Sequence, residues 1–280
     1  MQEDPREYWD KEAGPSWVRC QPMLDRILEP VTHTILETAQ PAAGQRILDV
    51  GSGSGTLSLR AADRVGEAGA VIGVDVSSPL VEHARSRVDS DTQVDFRLGD
   101  AEEAELPSVD LILSRFGVMF FRDTRRAFAN LRSALRPGGR YVFACWREVA
   151  ENPWMTWPIA AMRDLLPEDL PLGPPADADL PGPFRFAEQR RFESALDSAG
   201  FEQVRVTRHD GVLSMTGTQA EILELTQHIG PLSRILEALE PSTSNRALQR
   251  VIGRIDELHD GRAMHLGASW WIVEAAAGSV

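Results

Sequence analysis

Cysteine is nearly absent from this chain: Cys20 and Cys145 are the two in 280 residues. They have neither metal-ligand spacing nor framework partners, which speaks against a disulfide scaffold or a zinc module and for reduced thiols in a reducing compartment. Positive charge is also short, with 29 Lys plus Arg against 42 Asp plus Glu and a net charge of −13. Such a chain repels DNA, RNA and anionic membranes unless a local basic face dominates. The candidate face is Arg122, Arg125, Arg126, Arg132, Arg136 and Arg140, for which a solvated helix surface beside a turn is the plainer reading. Long apolar runs are missing too. The longest, VDLILSRFGVMFF, is broken by Ser114 and Arg115 and falls far short of a ~20-residue span. The start, MQEDPREYWDKEAG, is acidic and polar, unlike a signal or transit peptide. The expectation is a cytoplasmic protein with no nucleic-acid partner, no membrane partner and no metal. A homodimer stays open.

What is there is ordinary globular material, 42% apolar and 25% charged. The length suits one α/β core with an inserted or appended cap. Apolar residues from Leu24 to Ala39 recur at helical spacing, and Pro41 closes them. RILDV (46–50) then reads as a buried strand and TLSLRAADRV (56–65) as a helix. Strands follow at 70–76, 92–100, 109–116 and 139–146, with helices at 79–88 and 123–137 between them. Strands alternating with helices of ten to fifteen residues imply parallel β-α-β units. Nearly continuous apolar strands imply a sheet covered on both faces.

After Trp146 the rhythm changes. A tryptophan-rich helix begins at NPW, a proline-rich flap covers 166–183, and a helix runs over 185–200 with Gly200 as its stop. Two strands, 201–215 and 269–277, enclose an all-helical block at 218–262 that Gly230 and Pro231 interrupt. The fold class is α/β, a doubly wound, seven-stranded, mostly parallel sheet with a helical cap. Its parts are a helical lid segment (1–40), a ligand-binding core (41–150), a flap, helix and strand completing it (151–217), the cap insertion (218–262) and the last strand (263–280).

The chemistry starts at ILDVGSGSG, residues 47–55. A dinucleotide turn needs Gly-x-Gly-x-x-Gly. Here Gly51, Gly53 and Gly55 are followed by Thr56, so the third glycine comes one place early. A phosphate loop also fails, because no lysine follows. Asp75, at the end of the second strand, sits where a carboxylate can accept both hydroxyls of a ribose. Asp100, in GDA at the end of the third, can accept from an adenine amino group. Together they describe an adenosine site at the C-terminal edge of the sheet.

These stretches resemble the class I S-adenosylmethionine-dependent methyltransferases. DVGSGSG is similar to that family's first motif, VDVS with Asp75 to its second and GDAEE with Asp100 to its third. VDLILSRFGVMFF and LRPGGRYVFACW are similar to the fourth and to the turn and strand after it. The likeness is strong over roughly residues 8–150 and looser beyond, through a YW...A...W start, the NPW segment and a cap ending in IGPL. It implies S-adenosylmethionine as cofactor, with S-adenosylhomocysteine as product, and a Rossmann-like methyltransferase fold. It further implies that Gly51, Ser52 and Gly53 sit against the methionine part, with Asp49 anchoring its amino group through the turn or water. For Asp49, a structural acid orienting the turn is an equal alternative. The resemblance assigns the ribose to Asp75, adenine packing to Val76, the adenine edge to Asp100 and the Ala101 amide, and the methionine end to Ser114. Trp17 and Gln21 would close over the cofactor as a lid, with ordinary helix packing the alternative for Trp17.

The acceptor is less legible. Methyl transfer asks mainly for positioning and exclusion of water, so no universal catalytic residue is expected. His228, before Ile229-Gly230-Pro231, and Arg115 are the candidates to touch the reacting groups. Phe116, Trp146, Trp154 and His228 are the candidate substrate pocket, with Trp157, Phe120 and Phe121 as further aromatic walls or, for the last two, core. Family members that methylate exocyclic amines of nucleic acids carry Asn/Asp-Pro-Pro-Tyr/Phe after the fourth strand; this chain has SRFG there. The expected activity is methyl transfer to a small-molecule acceptor, a quinone or lipid precursor or a secondary metabolite. The alternatives are a cyclase-like use of the cofactor or a sensor of it, and a nicotinamide dehydrogenase is weaker still.

Overall fold

A computed structural model describes residues 4–89, 93–168 and 180–278. At the N-terminus, α1 (Pro5–Tyr8), a π-turn at Trp9–Ala13, α2 (Gly14–Arg19), α3 (Gln21–Ile27) and α4 (Glu29–Ala39) precede the sheet. The core then alternates: β1 (Arg46–Val50), α5 (Thr56–Val65), β2 (Ala70–Asp75), α6 (Ser78–Ser86), β3 (Val94–Leu98), β4 (Val109–Arg115), α7 (Thr124–Ala134) and β5 (Leu135–Trp146). It continues with α8 (Pro153–Ala161), α9 (Gln189–Ser198), β6 (Glu202–Thr216), α10 (Gln219–His228), α11 (Leu232–Ala238), α12 (Pro241–Leu258) and β7 (Ala263–Ala276).

The sheet has seven strands in the order β3-β2-β1-β4-β5-β7-β6. Pairs from β3 to β5 are parallel, and β7 runs antiparallel to both β5 and β6. Ile47, Leu48, Val71, Leu111, Ile112 and Leu113 are almost wholly buried, because helices cover both faces. Each such side chain contributes roughly 1.5–3 kcal/mol on burial. The chain runs outward from β1 to β3, then returns to β4 beside β1. That reversal opens a crevice beyond the C-terminal ends of β1 and β4, where doubly wound folds bind ligands.

Several boundaries differ from the sequence expectation. The helix expected over 24–39 is two helices, parted at Leu28 (φ −90°, ψ 3°). Pro30 has no N–H to donate, and its ring clashes with the carbonyl four residues back. The helix expected to reach 137 ends at Ala134, because Arg136 precedes Pro137 and avoids helical geometry; Leu135 instead pairs with Val109 across a bulge. The helix expected at 185–200 spans Gln189–Ser198, with Gly200 at φ +79° behind it. The last strand starts at Ala263 rather than 269, since β6 extends to Thr216 and pairs with it throughout. Positions 169–179 of the expected proline-rich flap, and position 92 of the expected third strand, lie outside the described residues.

The three helices between β6 and β7 pack on one another. Ile222, Leu225, Leu232, Ile235, Val251 and Ile255 turn inward along them, and the resulting cap roofs the sheet edge. Among the described residues, no helix is long and apolar enough to cross a membrane.

Candidate functional site

The glycine turn leaves β1 through three left-handed positions, Gly51 (φ +66°), Gly53 (φ +53°) and Gly55 (φ +84°). A side chain at Gly51 would bring its Cβ within 2.8 Å of the Gly117 Cα, so β4's exit loop and the turn touch backbone to backbone. Gly53 is different: a Cβ there would meet no heavy atom within 4 Å. The space over it belongs to a cavity of about 960 Å³, at the upper end of the ~300–1,000 Å³ common for small-molecule sites.

Carboxylates surround that turn. Asp75 accepts from the Gly53 amide at 2.8 Å and the Ser77 amide at 2.9 Å, so it braces the turn while lining the cavity. Burial raises its pKa, and those amides with that of Val76 oppose the rise. Asp49 lies under the turn, with Oδ2 accepting from Ser58 Oγ at 2.6 Å. Its Oδ1 and the neighbouring Ser52 Oγ are buried without a hydrogen-bond partner. Burial pushes the Asp49 pKa up to about 6, against the pull of Ser58 and Arg115. Two orphaned acceptors at the floor of a cavity are a donor-binding arrangement, because a buried unpaired oxygen is costly.

Trp17, Gln21, Asp49, Gly51, Ser52, Gly53, Asp75, Val76, Asp100 and Ala101 all line the cavity. Ser114 does not. Its Oγ donates to the Val50 carbonyl at 2.7 Å and is fully buried between β4 and β1, so the side chain expected at the methionine end ties strand to strand instead. Arg115, next along β4, does line the cavity. It donates to Thr32 Oγ1 at 2.7 Å. Burial lowers its pKa, while Asp25, Asp49 and Glu29 act to hold its charge.

The N-terminal segment closes this end more tightly than its sequence suggested. Arg6 makes an ion pair with Asp100 Oδ2 and lies 3.3 Å from Glu103, while Asp100 Oδ1 accepts from the Glu102 amide. Asp10 accepts from the Ser78 amide at 2.7 Å, and Trp9 packs edge-on against Trp17 and Phe120. Asp25 ties Thr56 Oγ1, Arg87 and Gln21 together under Trp17's helix. Neither Arg6 nor Asp25 stands out in sequence, since each acts through partners distant along the chain. Five of the six arginines considered as a basic face have local partners, Arg122 and Arg126 on Glu103, Arg136 on Asp110, Arg140 on Glu274 and Arg132 on the Gly200 carbonyl, and Arg125 is exposed on the same helix.

Beyond the turn the cavity becomes aromatic. Phe116 adopts φ +64°, an outlying conformation for a bulky residue. Its ring stacks on Trp146 with centroids 3.7 Å apart and planes 12° apart. Trp154 tilts against Trp146 at 5.1 Å, and its indole N–H is buried with no acceptor. Phe120 and Phe121, expected as core, line the cavity as well, with Trp157 and the cap residues Leu225, Thr226, Ile229 and Ile235. His228 is not among the lining residues. It sits half-buried at the end of α10, where the helical rotation sends Leu225, Thr226 and Ile229 inward and His228 aside. The histidine therefore stands beside the cavity wall rather than on it. Among the described residues, no cluster of three or more His, Cys, Asp or Glu could hold a metal ion.

Comparison with known proteins bears on the same surface. A family described as "Methyltransferase domain" matches residues 47–139, from β1 into β5. Nocamycin O-methyltransferase of Saccharothrix syringae is 29% identical over 204 residues, covering 69% of this chain and 71% of that protein. Aklanonic acid methyltransferase DauC of Streptomyces sp. (strain C5) is 32% identical over 176 residues, covering 61% and 76%. Among solved structures, phosphoethanolamine N-methyltransferase 2 of Haemonchus contortus, in complex with S-adenosyl-L-methionine, matches with a TM-score of 0.57 at 18% identity. That match covers 99% of this chain and 61% of the other, and it speaks for the fold alone.

Proposed function

The chain belongs to the class I S-adenosylmethionine-dependent methyltransferases, and from that premise we propose that it methylates a small molecule held between the glycine turn and the helical cap. The observation that carries this is the continuity of one cavity from Gly53 and Asp75 to the Phe116–Trp146 stack and the cap helices. Donor and acceptor can therefore lie in one enclosed space.

The residues present fit the cofactor. The open space over Gly53 admits a ligand close to the backbone, and the orphaned Asp49 Oδ1 and Ser52 Oγ can take hydrogen bonds from an amino group. In this reading Asp75 holds the ribose hydroxyls, Val76 packs on adenine, and Asp100 with the Ala101 amide serves the adenine edge. Asp100 does so while sharing its charge with Arg6. Bound there, S-adenosylmethionine supplies a methyl group already activated as a sulfonium. The chain's own task is to position the acceptor in line and keep water out. Within the expected lid segment, Trp9, Trp17 and Arg6 close over the cofactor end, and residues 1–3 of that segment lie outside the described residues.

The relatives named for nocamycin and aklanonic acid support a small-molecule acceptor. The net charge of −13, with Arg122 and Arg126 paired to Glu103, disfavours a nucleic acid. The test is incubation with methyl-labelled cofactor and a fractionated metabolite extract. Label should move to a low-molecular-weight fraction. Label that stays on the cofactor while the cofactor binds would favour the sensor or cyclase-like alternative.

A further inference from the structure

We propose that Arg115 holds the carboxylate of the cofactor's methionine half and that, with Asp49 and Ser52, it reads the two opposite charges of an α-amino acid; this rests on the methyltransferase reading above. A cation without a counter-ion carries the inference. Arg115 ends β4 and lines the cavity. A guanidinium stays protonated in a protein, so its charge is always present. Burial opposes that charge, while Asp25, Asp49 and Glu29 act to hold it. None of the three is near enough to pair, and Arg115 makes no ion pair among the described residues. Each acid has a partner of its own. Asp25 pairs with Arg87 at 3.0 Å, Glu29 pairs with Arg60 at 3.0 Å, and Asp49 accepts from Ser58 Oγ at 2.6 Å.

The donors of Arg115 are only partly used. Nη1 donates to Thr32 Oγ1 at 2.7 Å. Nε and Nη2 have no partner among the described residues, yet neither is sealed inside the protein. They are left to the cavity that the residue lines. Those two nitrogens form the fork that takes a carboxylate through two parallel bonds.

The place of Arg115 decides which carboxylate. Phe116, the next residue, sends its ring onto Trp146 at the acceptor end. The Arg115 side chain goes instead to Thr32 on α4, within the field of Asp25 and Asp49. Gly117, two residues on, packs against the backbone of Gly51. Arg115 therefore stands beside the glycine turn, where the methionine half lies in the reading above.

An α-amino acid carries its ammonium and carboxylate on one carbon, so its site needs acceptors and a cation side by side. Asp49 Oδ1 and Ser52 Oγ, buried without partners, are the acceptors, and Arg115 is the cation. Asp49 and Arg115 also act on each other's charge. A lone anion thus meets a guanidinium already partly neutralised, whereas a zwitterion satisfies both groups at once.

The experiment is calorimetry on the full chain with three ligands: S-adenosylhomocysteine, its decarboxylated analogue, and methylthioadenosine, which lacks the amino acid altogether. The parent should bind the decarboxylated analogue about 30- to 100-fold more weakly than S-adenosylhomocysteine, the loss expected when a charge-assisted fork is left empty. Arg115→Ala should weaken S-adenosylhomocysteine by about the same factor and leave the other two ligands within about threefold. Arg115→Lys should recover part of that loss, since a point charge replaces the fork. Equal affinity of the parent for S-adenosylhomocysteine and its decarboxylated analogue overturns the proposal, and that comparison needs no variant. If the alanine variant does not fold, the parent and Arg115→Lys decide. A folded Arg115→Ala chain that loses all three ligands alike also overturns it, by making Arg115 a strut of the turn. So does one that keeps full affinity for S-adenosylhomocysteine, which would leave the charge to the acceptor. Failure of the parent to bind S-adenosylhomocysteine removes the methyltransferase reading itself, so the two failures are told apart at the first titration.

Discussion

The two ends of the cavity are built from different materials. The cofactor end is backbone and carboxylate: three left-handed glycines, the amides of Gly53 and Ser77, and Asp49 and Asp75 packed under them. The acceptor end is side chain and ring: Phe116 on Trp146, Trp154 beside them, and cap residues that come from far along the chain. The first is specified by a few neighbouring residues on strands β1 and β2. The second exists only once β4, β5, α8 and α10 have been brought together. A mutation at one end should therefore report on cofactor or stability, and at the other on acceptor alone.

The sharpest break of that contrast is Asp75→Ala. It removes a charged acceptor and leaves the Gly53 and Ser77 amides without partners. Affinity for S-adenosylhomocysteine should fall by about 3 kcal/mol, roughly a hundredfold in Kd by calorimetry. Unchanged affinity would mean that the carboxylate only braces the turn.

Asp49→Asn tests the same end through pH. The Asp49 pKa is raised from 3.8 to about 6 in the folded chain. Folding therefore favours the protonated form, and the stability this lends is present below the unfolded value and lost as pH rises through about 6. In urea unfolding without cofactor, the variant should gain about 2–3 kcal/mol relative to the parent between about pH 4 and 7. A difference independent of pH would show that Asp49 ionises normally.

At the other end, Trp154→Ala should raise the acceptor KM about tenfold, a loss of about 1–2 kcal/mol of ring contact and hydrogen bonding. The Kd of S-adenosylhomocysteine should stay within about twofold. A parallel loss of cofactor affinity would show that the two ends are one coupled unit. The smallest effect is expected at Ser114→Ala, which removes the bond to the Val50 carbonyl. It should cost about 1 kcal/mol of stability and leave cofactor affinity unchanged, whereas a lost cofactor would return Ser114 to the binding site.

The same contrast explains what could be read from the sequence. RILDV, the glycine turn and Asp75 follow from strand length, turn chemistry and spacing, all local rules, and β1 starts and ends where the pattern places it. The direction of the Ser114 side chain was not legible, because a strand buried on both faces gives no alternation to show which way a side chain points. The lateral place of His228 was not legible either, because one residue of helical rotation separates a lining position from a lateral one. Nothing in the sequence marks Arg6 as the partner of Asp100. Its signal is a fold that returns the N-terminus to the end of β3, and no spacing rule reaches across that distance. Trp146 and Trp154 were found as aromatic candidates, but their union with Phe116 needed β4 and β5 side by side.

The most direct test of the account is calorimetric titration of the full chain with S-adenosylmethionine, S-adenosylhomocysteine and NAD under one buffer condition. The account predicts one-site binding of both sulfur compounds and none of NAD, since the turn lacks the third glycine of the dinucleotide pattern. Binding of NAD with neither sulfur compound would contradict it.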